Sequence, residues 1–179
     1  MIGVLVSGEG SNLQALLHAE LPVVAVASNR EGARALGRAG EAGVLAGTFE
    51  LDGFADRFQR DATMANWLQD HGVRLVVCAG YMHLLTPPFL ERFPRRIVNV
   101  HPSLLPEFPG PRAIEEAVAA GVGTTGVTVH LVDEGLDSGP VVRQEPVPVE
   151  PRETLLARIH AVEHRLLPEV VEAILGVPR

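Results

Sequence analysis

Apolar residues along this chain come in short unbroken runs that alternate with stripes spaced three or four apart. Residues 2–6, 23–27 and 75–79 are apolar throughout, the pattern of strands covered on both faces in a parallel sheet. Residues 13–17, 32–42 and 53–71 read as helices between them. In the third, Phe54, Phe58, Ala62, Ala65 and Leu68 form one apolar stripe, which turns Arg57, Arg60 and Asp61 toward solvent. A short strand is expected over 44–48. Residues 97–101 begin as a strand and stop at Pro102, which lacks the N–H that a central ladder needs. The stretch 86–88 reads as an N-cap threonine followed by prolines. Residues 111–120 predict a helix. From 125 to 132, Val127, Val129 and Leu131 alternate with Thr128 and His130, a half-buried strand. Residues 141–149 carry Pro146 and Pro148 and belong at an edge, paired antiparallel with that strand. A final helix is expected from about 153 to 175, with Ile159, Val162, Leu166, Val170 and Ile174 as its stripe.

That order predicts a single α/β domain over 1–179. Its sheet is mostly parallel, twisted and flanked by helices, and it ends in an antiparallel hairpin and a long helix.

Composition narrows the function. All 15 basic residues are arginine, and the formal net charge is −7, which argues against a nucleic-acid partner. The one cysteine, Cys78, lies in an apolar run, where burial silences a thiol. No apolar run reaches membrane-spanning length, and the start of the chain reads as a strand and not as a leader. The expected setting is therefore cytoplasmic, with no membrane partner. The seven histidines are scattered, so no metal is expected; His160 and His164 share a helix face without the glutamate of a zinc motif. The expected oligomeric state is monomer or homodimer.

Two places concentrate chemistry. Ser7-Gly8-Glu9-Gly10-Ser11-Asn12 joins a strand to a helix, which aims backbone N–H groups at an anion. The third glycine of a dinucleotide fingerprint is missing, since position 13 is leucine, so a phosphomonoester fits better than a pyrophosphate. The second place is the mouth of the 97–101 strand. Asn99 and His101 lie two apart and leave on one face. An amide and an imidazole there can both donate to a developing oxyanion. A carboxylate beside His101 would orient the ring; Asp137 is the candidate, with Asp133 and Glu134 as competitors.

The run Asn99-Val100-His101-Pro102-Ser103-Leu104-Leu105-Pro106 resembles the signature of the 10-formyltetrahydrofolate-dependent formyltransferases. Four further pieces follow in family order: 7–14, 79–85, 136–140, and Glu163-His164 with Pro168. The first points to the branch that acts on glycinamide ribonucleotide. The resemblance implies a Rossmann-like formyltransferase fold. It implies direct formyl transfer from 10-formyltetrahydrofolate, a co-substrate, to the amine of 5-phosphoribosylglycinamide in purine biosynthesis. It gives Asn99, His101 and Asp137 the catalysis, and Gly10, Ser11, Asn12 and Glu163 the ribonucleotide. Arg57, Met82, His83, Leu84, Leu85, Asp133, Glu134 and Asp137 would frame the folate. His83 departs from the family pattern, where many members carry arginine; Glu107 and Pro111-Arg112-Ala113 depart as well.

Overall fold

The computed structural model describes residues 1–176. Its strands are β1 (Ile2–Val6), β2 (Val23–Ser28), β3 (Leu45–Thr48), β4 (Leu75–Cys78), β5 (Ile97–His101), β6 (Thr124–Leu131) and β7 (Val141–Pro148). Its helices are α1 (Ser11–His18), α2 (Arg34–Glu41), α3 (Arg57–Asp70), α4 (Pro87–Leu90), α5 (Ala113–Ala120) and α6 (Leu155–Leu175). The strands form a sheet in the order β3-β2-β1-β4-β5-β6-β7. The chain divides into two compact units, Met1–Val98 and the part from Asn99 onward, with the boundary inside β5.

In the first unit β1 pairs in parallel with both β2 and β4, and β2 with β3. Every residue of β1 and β4 is buried, as unbroken apolar runs demand. β3 is the exposed outer strand. Leu13 and Leu16 of α1, Ala35 and Ala39 of α2, and Met64, Ala65 and Leu68 of α3 supply the helical part of this core.

The helix expected over 53–71 begins later; Ala65 and Leu68 of its expected stripe are buried, but its first turns differ from the expectation. Asp56 caps it by accepting from Gln59 N at 2.8 Å, so regular helix starts at Arg57. Its buried residues are Arg60, Asp61, Met64, Ala65 and Leu68, while Phe58 is 54% exposed. Arg60 and Asp61, expected in solvent, are both fully buried. The reason is mutual neutralisation: Arg60 Nε and Nη2 both donate to Asp61 Oδ1, at 2.9 and 2.7 Å. A charge can leave water when it is paired and hydrogen-bonded.

In the second unit β6 and β7 pair antiparallel, with Pro146 opposite Gly126 and Pro148 opposite Thr124, and β7 is the sheet's outer strand. That is where missing N–H groups do no harm. β6 is not half-buried as its alternation suggested: Thr125 to His130 are all buried. Thr128 is satisfied because its Oγ1 donates to Ser103 O at 2.6 Å and accepts from Leu105 N at 3.1 Å and Gln144 Nε2 at 2.9 Å. Those bonds pin the segment that leaves β5. α6 buries Ile159, Glu163, Leu166, Leu167, Val170 and Val171 on one face. No helix among the described residues is long and apolar enough to cross a membrane.

Candidate active site

His101 ends β5 and is buried, and Asn99 stands two residues before it. Asp137 comes from the 132–140 segment that links β6 to β7, where its φ of 51° is one of the few left-handed non-glycine conformations. Aspartate tolerates that region better than most residues. Its neighbour Gly139 is fixed by space: a Cβ there would lie 1.8 Å from Leu131 O. Leu131 N donates to Pro140 O at 2.9 Å and closes the segment.

The Asp137 carboxylate gathers the strand-end groups. Asn99 Nδ2 donates to Oδ1 at 3.3 Å, and His101 Nδ1 lies 3.4 Å from Oδ2. Gly110 N also donates to Oδ2, at 2.8 Å. Burial alone would raise the Asp137 carboxyl. The His130 ring, the Gly110 N–H and the His101 imidazole outweigh it, and the group sits below the ordinary 3.8.

The tautomers follow from what each ring nitrogen faces. His101 Nε2 lies 2.9 Å from Phe108 O, a carbonyl that can only accept, so Nε2 carries a hydrogen. The Nδ1 edge is the one left facing Asp137. His130, a residue that the strand alternation disguised, is 2% exposed. Its Nδ1 lies 2.9 Å from Leu131 O and donates to it, and its Nε2 lies 3.1 Å from Asn99 Nδ2 and 3.6 Å from Asp137 Oδ1. Asn99, His130 and Asp137 thus form one cluster around the strand end. The histidine was visible in the sequence; only its burial was not.

Asp133 does not compete for His101. Its Oδ1 accepts from Gly135 N at 3.0 Å and Ser138 Oγ at 2.8 Å, so it shapes the segment that carries Asp137. Glu134 is exposed. Glu163 lies on the buried face of α6 at 6% exposure, with His164 and Pro168 in the same helix.

In the first unit the α1 N-terminus has the expected strand–turn–helix form. The cap is Gly10, at φ 75°, with no side-chain cap bond, so Ser11 and Asn12 are the first helical residues. Gly10 is demanded by packing too, because a Cβ would come within 2.6 Å of Ala35 Cβ. Beside the turn, Arg38 Nε donates to Glu9 O at 2.8 Å and Arg34 Nη1 to Glu9 Oε2 at 3.0 Å. Arg34 and Arg38, which stand beside this turn, were given no role in the sequence reading.

The segment after β4 is held from several sides. Arg57 Nη2 donates to Leu84 O at 2.6 Å, and Met82 N donates to Ser7 Oγ at 2.9 Å. Thr86 does not cap α4 with its side chain; its N and Oγ1 donate to Asp61 Oδ2 at 2.9 and 2.8 Å. Met82 is 66% exposed and Leu84 48%, whereas Leu85 is buried. An anchored backbone with outward apolar side chains can take a flat ring. No group of three or more potential metal ligands occurs among the described residues.

Comparison with known proteins shows the family. The profile of the family described as formyl transferase matches residues 1–171. A phosphoribosylglycinamide formyltransferase of Mycobacterium tuberculosis is 45% identical, over 96% of this chain and 83% of that protein. The trifunctional purine biosynthetic protein adenosine-3 of Drosophila melanogaster is 40% identical over 95% of this chain, which spans only 13% of that relative's length. Among solved structures, phosphoribosylglycinamide formyltransferase from Streptococcus pneumoniae superposes with a TM-score of 0.93 at 44% identity, covering 97% of this chain and 98% of that one. Glycinamide ribonucleotide transformylase 1 from Geobacillus kaustophilus gives 0.94 at 41%, covering 98% of each. With a family profile spanning nearly its whole length and relatives of matching size and fold, this chain belongs to the formyl transferase family.

Proposed function

We propose that this protein transfers a formyl group from 10-formyltetrahydrofolate directly to the amine of 5-phosphoribosylglycinamide. The observation that supports it most is the convergence of Asn99 and His101 on Asp137. The amine nitrogen bonds to the formyl carbon, and the carbonyl oxygen becomes an oxyanion. The bond from that carbon to the folate nitrogen then breaks; the amine loses a proton and the folate nitrogen gains one. The long contacts at 3.3 and 3.4 Å are the ones an oxyanion can compete for, whereas the bonds to His130 and Phe108 are shorter and hold the donors in place. Asn99 and a protonated His101 stabilise the oxyanion in a partly buried site, where such donors count most. Asp137, held ionised, lies against Nδ1 of that ring.

The α1 N-terminus, with Gly10, Ser11 and Asn12, takes the acceptor phosphate, and Glu163 contacts the ribonucleotide. Arg57, Met82, His83, Leu84 and Leu85 carry the folate, with Asp133 and Glu134 near its edge. The protein is a single working domain in the cytoplasm, a monomer or homodimer, and its partners are these small molecules. His101→Ala tests the assignment. Its kcat should fall by about 10²–10⁴-fold, with a much smaller change in either KM, because the interaction matters mainly in the transition state. An unchanged kcat would overturn it.

A further inference from the structure

A polar network in the first unit runs from Arg60 and Asp61, which are buried and have no role in the reaction given above, to the exposed His83 of the folate segment. Its centre is Arg60, fully buried on α3, whose guanidinium divides between two partners. Nε and Nη2 hold Asp61, and Nη1 lies 2.8 Å from His83 Nδ1. A guanidinium only donates, so Nδ1 must be bare. The neutral ring then carries its hydrogen on Nε2, 3.2 Å from Asn29 Nδ2. Asn29 Oδ1 accepts from Ser7 Oγ at 2.7 Å, and Ser7 Oγ receives Met82 N–H, so a bare Nδ1 on His83 calls for the amide turned over. Amide orientation is chosen by such a network, and an oxygen facing Nε2–H satisfies the ring.

The segment from Tyr81 to Thr86 is thus fastened inward at Met82, His83 and Thr86 while Met82 and Leu84 face out. We propose that Arg60 is a positioning residue for the formyl donor, acting through a neutral His83 to hold the segment that carries the folate. This rests on the reading of that segment as the donor's platform.

Protonation of His83 breaks the arrangement, because Nδ1–H and the Arg60 N–H cannot bond each other. The groups facing the ring all bear on this. Arg60 and Arg57 disfavour the charged form, Asp61 favours it, and the Tyr81 ring and Asn29 amide are neutral. Burial and the two arginines together lower the His83 pKa from its ordinary 6.5.

The test is calorimetric binding of 10-formyltetrahydrofolate to the intact protein, from pH 7.5 down through the range in which NMR shows the His83 ring gaining its proton, for the wild type, Arg60→Met and His83→Gln. Glutamine can accept from Arg60 and donate to Asn29 without titrating in this range. The wild-type Kd should rise toward about tenfold per pH unit once His83 is more than half protonated. The His83→Gln profile should lack that rise. Arg60→Met should weaken donor binding about tenfold across the range, with acceptor KM unchanged, if it misplaces the segment as argued. A wild-type profile as flat as that of His83→Gln would overturn the proposal and leave the transferase reading standing. The same rise in both proteins would do so too, since a titrating group other than His83 would then be responsible. No binding of the donor to the wild type would instead overturn the platform reading itself. Should Arg60→Met fail to fold, the His83→Gln comparison decides alone.

Discussion

Asp137 is where single atoms decide the account. Its two oxygens separate the work, Oδ1 toward Asn99 and Oδ2 toward His101 and Gly110 N. Asp137→Asn keeps the shape but removes the charge beside the His101 ring. Its kcat should fall by about 10²-fold or more, with a much smaller change in either KM. An unchanged kcat would argue that the Asp137 charge plays no part in the transfer. Asn99 and His101 were legible in the sequence because a strand has period two and Pro102 marks its end. Asp137 was a candidate only, because nothing local records a contact made 36 positions away. His130 was misread for a physical reason. Strict alternation signals a strand wet on one face, yet here the polar side chains of β6 are buried and hydrogen-bonded.

The elements carry the next level of the argument. The 132–140 segment works only if Asp137 is aimed, and Gly139 allows that by lying against Leu131 O. Gly139→Ala must displace the segment. A shift of about 1 Å at Asp137 should cost about 10²-fold in kcat, against a modest fall in thermal midpoint. A full kcat would show that the segment has slack. The α1 turn is different, because Gly10 serves both its own left-handed backbone and the approach of α2. Gly10→Val should therefore cost about 2 kcal/mol or more of stability, read by denaturant unfolding, apart from any phosphate contact. Asn12→Ala is the cleaner probe of the acceptor phosphate and should raise acceptor KM while sparing donor KM. On α3, helical spacing placed Ala65 and Leu68 in the core, where they lie, but also Phe58, which is exposed. Two adjacent opposite charges read as solvated, and only the fold reveals that Arg60 bends back onto Asp61. Removing one of such a pair strands a buried charge, which typically costs about 3–5 kcal/mol.

Across the whole molecule, the parallel strands, the edge position of β7 and the long final helix were readable from unbroken apolar runs, two prolines and a 3.6-residue stripe. Stability should respond to pH in two windows. The His83 pKa is lowered by folding, so its contribution is present above about 6.5 and is lost as pH falls below that. The Asp137 carboxyl is also lowered, so its contribution is present above the ordinary 3.8 and is lost as pH falls through its folded value. Thermal melts from pH 8 to 3 should show both declines, and His83→Gln should lack the first. The most direct test of the central claim is tetrahydrofolate formation from 10-formyltetrahydrofolate, measured with and without 5-phosphoribosylglycinamide. Turnover that requires the acceptor, with formylated product in equal amount, is the predicted result. Equal turnover without the acceptor would make water the acceptor and contradict the account.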